Sequence, residues 1–285
     1  MLSKKLLKIL VLIICVICIV IMSSIYYSSN TLLVTHYTIN NIGSESIRII
    51  QLTDLHNKEF GKDNNQLIDK IATQKPDLIF MTGDMLNKDE ENTDIIISLI
   101  QELAKLATVY YGYGNHEIEW EETYHKDLKN ILMSAGANVL NNEYKDITIK
   151  GHDIRIGGYY GYYRQPGMTT KDESQKKIEL EFADDFENTN KLKILLCHIP
   201  TTWLDWQYRD KYPIDLVFSG HYHGGQIRIP FIGGLYAPYV GFFPKYTKGI
   251  FKGKTSTTIL STGLASEGFI PRINNPAEIV VLDLK

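Results

Sequence analysis

The chain has 285 residues, of which 44% are hydrophobic and 22% charged, a composition typical of a folded globular protein and not of a disordered one. This length accommodates one large domain or two ordinary ones. The formal net charge is −3 and the body contains no dense Lys/Arg block, so the composition gives no overall attraction towards nucleic acid.

The N-terminus carries an uncharged apolar segment. Residues 9–22 are all apolar, and no charge occurs from residue 9 to residue 30, a stretch of 22 residues that can cross a hydrocarbon core of about 30 Å as a helix. The segment has lysines before it and tyrosines near its end, namely Lys4, Lys5, Lys8, Tyr26 and Tyr27. We therefore predict a signal-anchor over residues 1–29, single-pass in the cell membrane, with the rest of the chain on the extracytoplasmic side. A cleaved signal peptide is the alternative, and it gives the same location.

Residues 30–45 are predicted to be a linker or a first strand, and residues 46–285 to form one domain. Apolar periodicity in that domain predicts strands at 46–52, 78–81, 109–113, 144–150, 153–158, 191–197, 214–219, 257–260 and 278–284, and helices at 64–74, 93–107 and 122–135. The early β-α-β-α-β alternation predicts an α/β fold, in which ligands bind at the carboxyl ends of the strands. Cys197, the one body cysteine, is predicted to be a packed core thiol.

Side chains that bind metals follow five of these strands. They are Asp54 with His56, Asp84, Asn115 with His116, His198, and His221 with His223, and they include five of the eight histidines. Residues two apart in a strand face the same way, so the first and last pairs are predicted to present two ligands each. Imidazole, carboxylate and amide oxygen together suit zinc, manganese or iron better than calcium.

Each of these motifs has an ordinary structural explanation when it is taken alone. Asp54-x-His56 fits a helix cap or a turn, Gly83-Asp84 fits a common turn, and a single His198 after a strand fits a satisfied core histidine. The segment 220–225, GHYHGG, is more specific, because it places two histidines between glycines that allow close approach of the backbone. The occurrence of all five motifs after apolar strands favours one shared metal site.

In this order, D-x-H, GD, GNHE, H and G-H-x-H, the motifs resemble those of the calcineurin-like metallophosphoesterases. The segment 220–230, the TGL at 262–264 and the PAEI at 276–279 further resemble the membrane-associated bacterial branch with the YkuE/YaeI-type phosphoesterases and a group of UDP-diacylglucosamine pyrophosphatases. The resemblance implies a four-layer α/β/β/α sandwich with two central mixed sheets, here preceded by one transmembrane helix.

The resemblance also implies two divalent metal ions, with manganese favoured over zinc and iron. Asp54, His56 and His223 would hold one metal, Asn115, His198 and His221 the other, and Asp84 would bridge them. His116 would protonate or stabilise the departing oxygen without binding metal, and Glu117 would orient a neighbour. A hydroxide shared by cations about 4 Å apart would attack the phosphorus in line.

The expected reaction is hydrolysis of a phosphodiester or pyrophosphate, on a phosphorylated small molecule or a lipid-linked or cell-envelope substrate. Arg164 and Arg228 are candidate substrate contacts, although Arg228 could equally be structural. Aromatic segments at 159–163 and 242–246 could line a lipid-facing rim or simply pack in loops. The alternatives are a secreted nuclease or nucleotide phosphodiesterase and a non-catalytic metal-binding module; no nucleic-acid partner is expected.

Two features depart from relatives. Met85 follows Asp84 where protein Ser/Thr phosphatases continue with Asp-Arg-Gly, which argues against a phosphoprotein substrate. Lys4-Lys5 stands where some relatives have a twin-arginine signal, which favours ordinary membrane insertion.

Overall fold

The computed structural model describes residues 4–40, 45–159, 173–204, 212–237, 240–266, 268 and 270–285. In chain order the strands are β1 (Leu32–Ile39), β2 (Ile47–Leu52), β3 (Leu78–Thr82), β4 (Thr108–Gly112), β5 (Asn138–Leu140), β6 (Glu143–Ile149), β7 (His152–Gly158), β8 (Leu192–Leu196), β9 (Leu216–Ser219), β10 (Arg228–Ile229), β11 (Gly233–Gly234), β12 (Tyr236–Ala237), β13 (Gly241–Phe242), β14 (Gly249–Lys252), β15 (Thr257–Leu260) and β16 (Ala277–Leu284). The helices are α1 (Lys4–Asn30), α2 (Asn65–Gln74), α3 (Asp94–Ala104), α4 (Asn115–Tyr124), α5 (Leu128–Ala135), α6 (Glu173–Glu187) and α7 (Thr201–Leu204).

The strands form two mixed six-stranded sheets. The first has the order β1-β16-β2-β3-β4-β5 and the second β14-β15-β9-β8-β7-β6, and two short two-stranded hairpins, β10-β11 and β12-β13, follow β9. Strands β2, β3 and β4 are mutually parallel, as are β7, β8 and β9. The carboxyl ends of these strands therefore lie together at one edge of each sheet.

Both faces of the first sheet are buried. In β2, Ile47 and Ile49 pack between the two sheets, whereas Ile50 and Leu52 pack under helices α2, α3 and α5. The outer face of the second sheet is covered by α6 and α7, through Phe186 and other aromatic side chains. The four-layer α/β/β/α architecture is confirmed, and it explains why these strands read as continuous apolar runs.

Helix α1 precedes this sandwich. Its apolar side chains are exposed over almost its whole length, and it is long and apolar enough to cross a membrane. In the part of the chain that the structure describes, no other helix meets this length and composition. Residues 32–39, left open as linker or strand, form β1, which pairs in parallel with β16.

The predicted helix at 122–135 is wrong in its boundaries. Helix α4 begins at Asn115, because the Glu117 carboxylate accepts the Gly114 N–H at 2.7 Å and caps its first turn. The chain then leaves the helix at His125 (φ 51°), and Asp127 caps α5 by accepting the Asn130 N–H. Helix α4 has little amphipathic periodicity, so the apolar pattern located only α5. Cys197 is fully buried on the outer face of the second sheet, where it is a core thiol as predicted.

Candidate metal centre

The seven side chains predicted to bind metal, and the predicted proton donor His116, all lie at the carboxyl edge of the two sheets. Asp54 and His56 follow β2, Asp84 follows β3, Asn115 and His116 open α4 after β4, His198 follows β8, and His221 and His223 follow β9. All eight are buried, and the most exposed, His56, retains 8% of its surface. Because the sheets pack face to face, loops from both reach one site.

Three overlapping triads of ligand atoms form the cluster. In each triad the atoms lie within 4.8 Å of one another: Asp54, His56 and His223; His56, Asp84 and His116; Asp84, His198 and His221. His198 Nε2 is 2.9 Å from Asp84 Oδ2, and His223 Nε2 is 3.5 Å from Asp54 Oδ1. The first triad is the first set predicted from the sequence, and the third contains His198 and His221 of the second set together with the predicted bridging residue Asp84.

The reason given for the paired ligands is wrong, although the pairs do face the site. Strands β2 and β9 end at Leu52 and Ser219, before either pair begins. Five of the seven predicted ligands have left-handed backbone, with φ of 54° at Asp54, 48° at His56, 52° at Asp84, 69° at His221 and 45° at His223. Tight turns, not the alternation of a strand, therefore aim these side chains. Such backbone costs stability, on the order of 1 kcal/mol at each residue, and is concentrated at functional sites.

Backbone groups orient the ligands. His198 Nδ1 donates to Thr82 O at 2.7 Å, and His223 Nδ1 donates to Ala265 O at 3.0 Å, since a carbonyl can only accept. In the neutral tautomer this leaves the lone pair on Nε2, which faces the carboxylates of the cluster. Those carboxylates are held in turn, because Asp54 accepts the His221 N–H and Asp84 accepts the His116 N–H.

The donor set fits metal ions. Asn115 Oδ1 is buried and, among the described residues, has no hydrogen-bond partner. A buried amide oxygen without a partner is costly unless a cation uses it. Together with imidazole nitrogens and two buried carboxylates, it makes a mixed N/O site suited to first-row transition metals.

The electrostatics of the cluster favour positive charge. Burial works against ionisation of Asp84, but the surrounding imidazoles, His198 foremost, outweigh it and hold the pKa of this carboxyl well below its ordinary range. Burial likewise lowers the pKa of His198, but Asp84 and Asp54 outweigh that effect and raise it to about 10. The field that retains a proton on His198 attracts a metal cation, and a cation bound at Nε2 would replace that proton.

Glycines at two positions allow the loops to approach so closely. A Cβ on Gly114 would lie 2.3 Å from Asp84 Oδ1, and a Cβ on Gly220 would lie 2.2 Å from Thr53 Oγ1 and 2.5 Å from Asp54 Oδ2. Either side chain would displace a ligand carboxylate. This is the physical reason that the GNHE and G-H-x-H motifs begin with glycine.

His116 lies at the open side of the cluster. It lines a cleft of about 320 Å³ with His56, residues 87–90, Ser266 and Gly268. The Lys88 backbone N–H donates to His116 Nδ1 at 3.1 Å, so the neutral ring carries its proton on Nε2. Its ring is 4.5 Å from that of His56, edge to face. His116 is thus placed to donate a proton to a group bound in the cleft.

Glu117 braces the loops of the first sheet. Its carboxylate is fully buried and accepts the N–H groups of Asp84, Met85 and Gly114 at 2.7–2.9 Å and the Tyr111 hydroxyl at 2.6 Å. Burial, and then the nearby Asp84 charge, raise the pKa of Glu117. Glu117 therefore orients the loop that carries Asp84, the kind of role expected from the sequence.

Arg272 and Asn275 brace the loops of the second sheet, and the sequence interpretation missed both. The buried Arg272 guanidinium donates to the carbonyls of Thr262, Ala265, Asn275 and Pro276. Asn275 Nδ2 donates to His223 O at 2.7 Å. The one available signal was a single arginine in the otherwise uncharged segment 268–277.

The two candidate substrate arginines have different outcomes. Arg164 lies outside the described residues. Arg228 is partly buried and its Nη1 donates to Gly224 O at 2.9 Å and Thr247 Oγ1 at 3.0 Å. These contacts favour the structural role that the sequence left open. In the predicted aromatic rim, Tyr159 packs in the core, whereas Phe242 and Phe243 are exposed.

Comparison with known protein families identifies the family of this chain. The sequence model of the calcineurin-like phosphoesterase family matches residues 47–225, which include every predicted metal ligand. The chain belongs to this family. The resemblance seen in the motifs is confirmed, and calcineurin-like phosphoesterases are metal-dependent hydrolases of phosphoesters, typically with two metal ions.

Relatives within the calcineurin-like family include bacterial proteins whose sequences match two thirds or more of this chain. An uncharacterized metallophosphoesterase of Campylobacter jejuni is 29% identical over 255 residues, which cover 85% of this chain and 60% of the relative. Metallophosphoesterase YkuE of Bacillus subtilis, also uncharacterized, is 26% identical over 91% of this chain and 88% of its own length. Phosphodiesterase YaeI of Escherichia coli is 28% identical over 67% of this chain and 66% of its own. The chain thus spans only 60% of the Campylobacter relative.

Proposed function

We propose that this chain is a two-metal phosphoesterase that hydrolyses a phosphodiester or pyrophosphate, on a lipid-linked or cell-envelope substrate outside the membrane. The observation that supports this proposal is the convergence of six Asp and His side chains from both sheets beside His116, next to a cleft that His56 and His116 line. Asp54, His56 and His223 would hold one metal and Asn115, His198 and His221 the other, with Asp84 shared; manganese is the favoured metal.

Two divalent cations at these positions would supply a water nucleophile at neutral pH and positive charge for the phosphoryl oxygens. The protein's own contribution is orientation and proton transfer. The cleft admits the phosphoryl group beside His56 and His116. Nε2–H of His116, set by the Lys88 N–H on the other nitrogen, would donate to the leaving oxygen.

The charges around the cleft favour the phosphodiester, the least charged of the candidate substrates. Asp89 and Glu90 lie in its wall, and the one lysine there, Lys88, is 2.6 Å from the Glu119 carboxylate. A phosphodiester carries one negative charge and a monoester about two at neutral pH, so these carboxylates disfavour the monoester more. They also disfavour a nucleic acid, which binds through neutralisation of many phosphates.

The test is turnover of bis-p-nitrophenyl phosphate by the full chain in detergent with added manganese, beside matched His116→Ala and Asp84→Ala variants. We expect His116→Ala to leave bound metal unchanged and to lower turnover by about 10²–10⁴-fold for an alkyl diester, whose alkoxide leaving group needs a proton, but less for the nitrophenyl ester, whose leaving group does not. Asp84→Ala should lose both metal and turnover, because Asp84 is shared by both predicted sites.

Two results would count against the proposal. If the wild type holds two metals but hydrolyses no diester, monoester or pyrophosphate, the chain is the non-catalytic binding module. If it hydrolyses oligonucleotides with a rate that falls steeply as salt rises, it is a nuclease with a basic path outside this cleft.

A further inference from the structure

The loop at residues 220–225, which carries His221 and His223, is called the metal loop below. The exposed apolar surface of the body is concentrated in two short hairpins that follow this loop. The four most exposed large apolar side chains among the described residues beyond α1 are Phe231 (109%), Phe242 (72%), Ile232 (65%) and Phe243 (60%). Phe231 and Ile232 form the turn between β10 and β11, and no residue from 229 to 235 carries a charge. A fully exposed, uncharged apolar turn of this kind marks a site of contact with another apolar phase.

The folded body forms hydrogen bonds with the last two turns of α1. Ser28 is fully buried and its hydroxyl accepts the Asn275 N–H at 3.1 Å. One helical turn earlier, the Ser24 hydroxyl accepts the Asn274 N–H at 2.8 Å. Asn274 and Asn275 therefore bond to α1 at two positions that are about 6 Å apart along the helix axis.

The same two asparagines hold the chain that leads to the turn. Asn275 Nδ2 donates to Gln226 O at 3.1 Å, and Asn274 Nδ2 donates to Arg228 O at 3.0 Å. Gln226 thus lies at the level of Ser28 and Arg228 at the level of Ser24. Two extended residues cover about 7 Å, which matches the spacing along the helix.

The segment 226–228 therefore runs alongside α1 towards its N-terminus. Continuing in the same direction for two or three residues adds about 7–10 Å and carries the turn past Ser24. This would bring it beside the apolar run at 9–22, within the helix that is long and apolar enough to cross a membrane. The turn with the most exposed side chains of the body is thus directed at the level where α1 enters lipid.

The geometry points to a second membrane contact: the turn at residues 230–232 inserts into the lipid surface beside α1. This inference rests on the proposed placement of α1 in a membrane. The occupant is lipid and not another protein, because the turn is continuous with the apolar surface of α1 and carries no charge or hydrogen-bonding side chain. Phe242 and Phe243 extend the contact, since Phe242 packs on Tyr236 and the Phe243 N–H bonds to Leu235 O.

The turn is tied to the metal loop at its base. The Arg228 guanidinium donates to Gly224 O, the residue after the ligand His223, and the Leu235 N–H donates to Gly225 O at 3.2 Å. Insertion would therefore hold the metal loop at a set height above the lipid. We expect the turn to matter for substrates that reside in the bilayer and not for soluble ones.

Depth quenching of a fluorophore tests the insertion. The full chain carries Phe231→Cys in a Cys15→Ser, Cys18→Ser background, labelled with a nitrobenzoxadiazole, in phosphatidylethanolamine–phosphatidylglycerol vesicles with doxyl-labelled lipid. The matched control is Met133→Cys on α5, an apolar position that is 48% exposed. We expect blue-shifted, strongly quenched emission at position 231 and water-like, unquenched emission at 133. Equal, water-like emission at both positions would overturn the inference.

Kinetics give an independent measurement. A Phe231→Ser, Ile232→Ser variant should hydrolyse soluble bis-p-nitrophenyl phosphate at the wild-type rate. It should hydrolyse a vesicle-borne lipid diester or pyrophosphate at least about tenfold more slowly, because the contact loses two apolar side chains that the lipid would bury. Met133→Ser should change neither rate. If the wild type is inactive on every substrate, the proposed function fails and the quenching result still decides the insertion. Normal hydrolysis of the lipid substrate by the double variant, with unquenched label, refutes the insertion alone.

Discussion

The two halves of the metal centre are held by buried charges of opposite sign. Glu117, in the half built on the first sheet, collects three backbone N–H groups and one hydroxyl. Arg272, in the half built on the second sheet, collects four backbone carbonyls. Both side chains are fully buried, and neither has an opposite charge within ion-pair distance among the described residues.

The difference follows from the direction in which each set of loops presents its backbone. The turns at Asp84 and Gly114 point N–H groups inward, which need an acceptor, whereas the turns at Thr262 and Ala265 point carbonyls inward, which need a donor. A charged side chain satisfies several such groups at once, with hydrogen bonds stronger than neutral ones. A site built from several strained loops therefore needs a buried anion where the loops point N–H groups inward and a buried cation where they point carbonyls inward.

The largest effect on stability is expected from Arg272→Met. Methionine keeps the apolar stem but removes the donor of the Thr262, Asn275 and Pro276 carbonyls and leaves Ala265 O with His223 Nδ1 alone, which should lower the free energy of unfolding by about 3–5 kcal/mol. Because Ala265 O also orients His223, bound metal should fall as well. Urea unfolding in detergent and metal analysis measure both quantities.

Arg228→Met is the matched control for this change, because Arg228 is a partly buried arginine with two hydrogen bonds from the same loop region. It should cost about 1–2 kcal/mol. Equal losses for the two variants would show that Arg272 is not the brace of its half.

The intermediate effect is expected from Glu117→Gln. Glutamine has the same shape but one acceptor oxygen, so it satisfies part of the donor set and turns its own N–H groups towards the rest. We expect a loss of about 2–3 kcal/mol in unfolding free energy, and weaker metal retention at Asp84. Tyr111→Phe, which removes only one of the four donors, should cost about 1 kcal/mol. If Glu117→Gln is as mild as Tyr111→Phe, the carboxylate charge has no special part in the brace.

The smallest effect on stability is expected from Asp146, whose charge is paired with Arg155. The Arg155 guanidinium bonds both oxygens of Asp146 at 2.8 and 3.0 Å, and this bond holds the pKa of Asp146 at about 2, below its ordinary 3.8. A depressed carboxyl pKa stabilises the fold above the ordinary value, and this contribution is lost as the pH falls from 3.8 towards 2. Asp146 is 31% exposed, so solvent limits the effect to about 1 kcal/mol.

Thermal unfolding at pH 5, 4 and 3 checks this last prediction. The wild type should lose more stability than Asp146→Asn as the pH falls, and the two curves should converge at the acid end. Parallel curves would mean that the ion pair adds nothing, and that only the buried, unpaired charges of the two braces matter.

The residues of the site were predictable to the extent that their signal is local. Each ligand motif spans a few residues at the end of an apolar strand, and Glu117 lies in the same motif as Asn115. Asn275 was not found, because its partner is distant in sequence: 52 residues separate it from His223. Their contact depends on the pairing of Ile227 with Ile273, which no local pattern encodes. Arg272 bonds carbonyls only 3 to 10 residues away, but these lie in an irregular segment without apolar periodicity, so no local pattern pointed to them.

The sequence by itself determined the family, the identity and order of the predicted metal-binding side chains, the apolar helix and most strand positions, because hydrophobic periodicity and side-chain chemistry are properties of short segments. Tertiary structure alone decided how those side chains meet. Packing of two sheets places Asp84 between predicted ligands from both, left-handed turns aim those side chains, and Gly114 and Gly220 allow the loops to approach closely. It also decided that Asn274 and Asn275 join the metal loop to α1. Such contacts form between segments far apart in the chain, and only the burial gained when the whole core closes compensates their entropy and their strain.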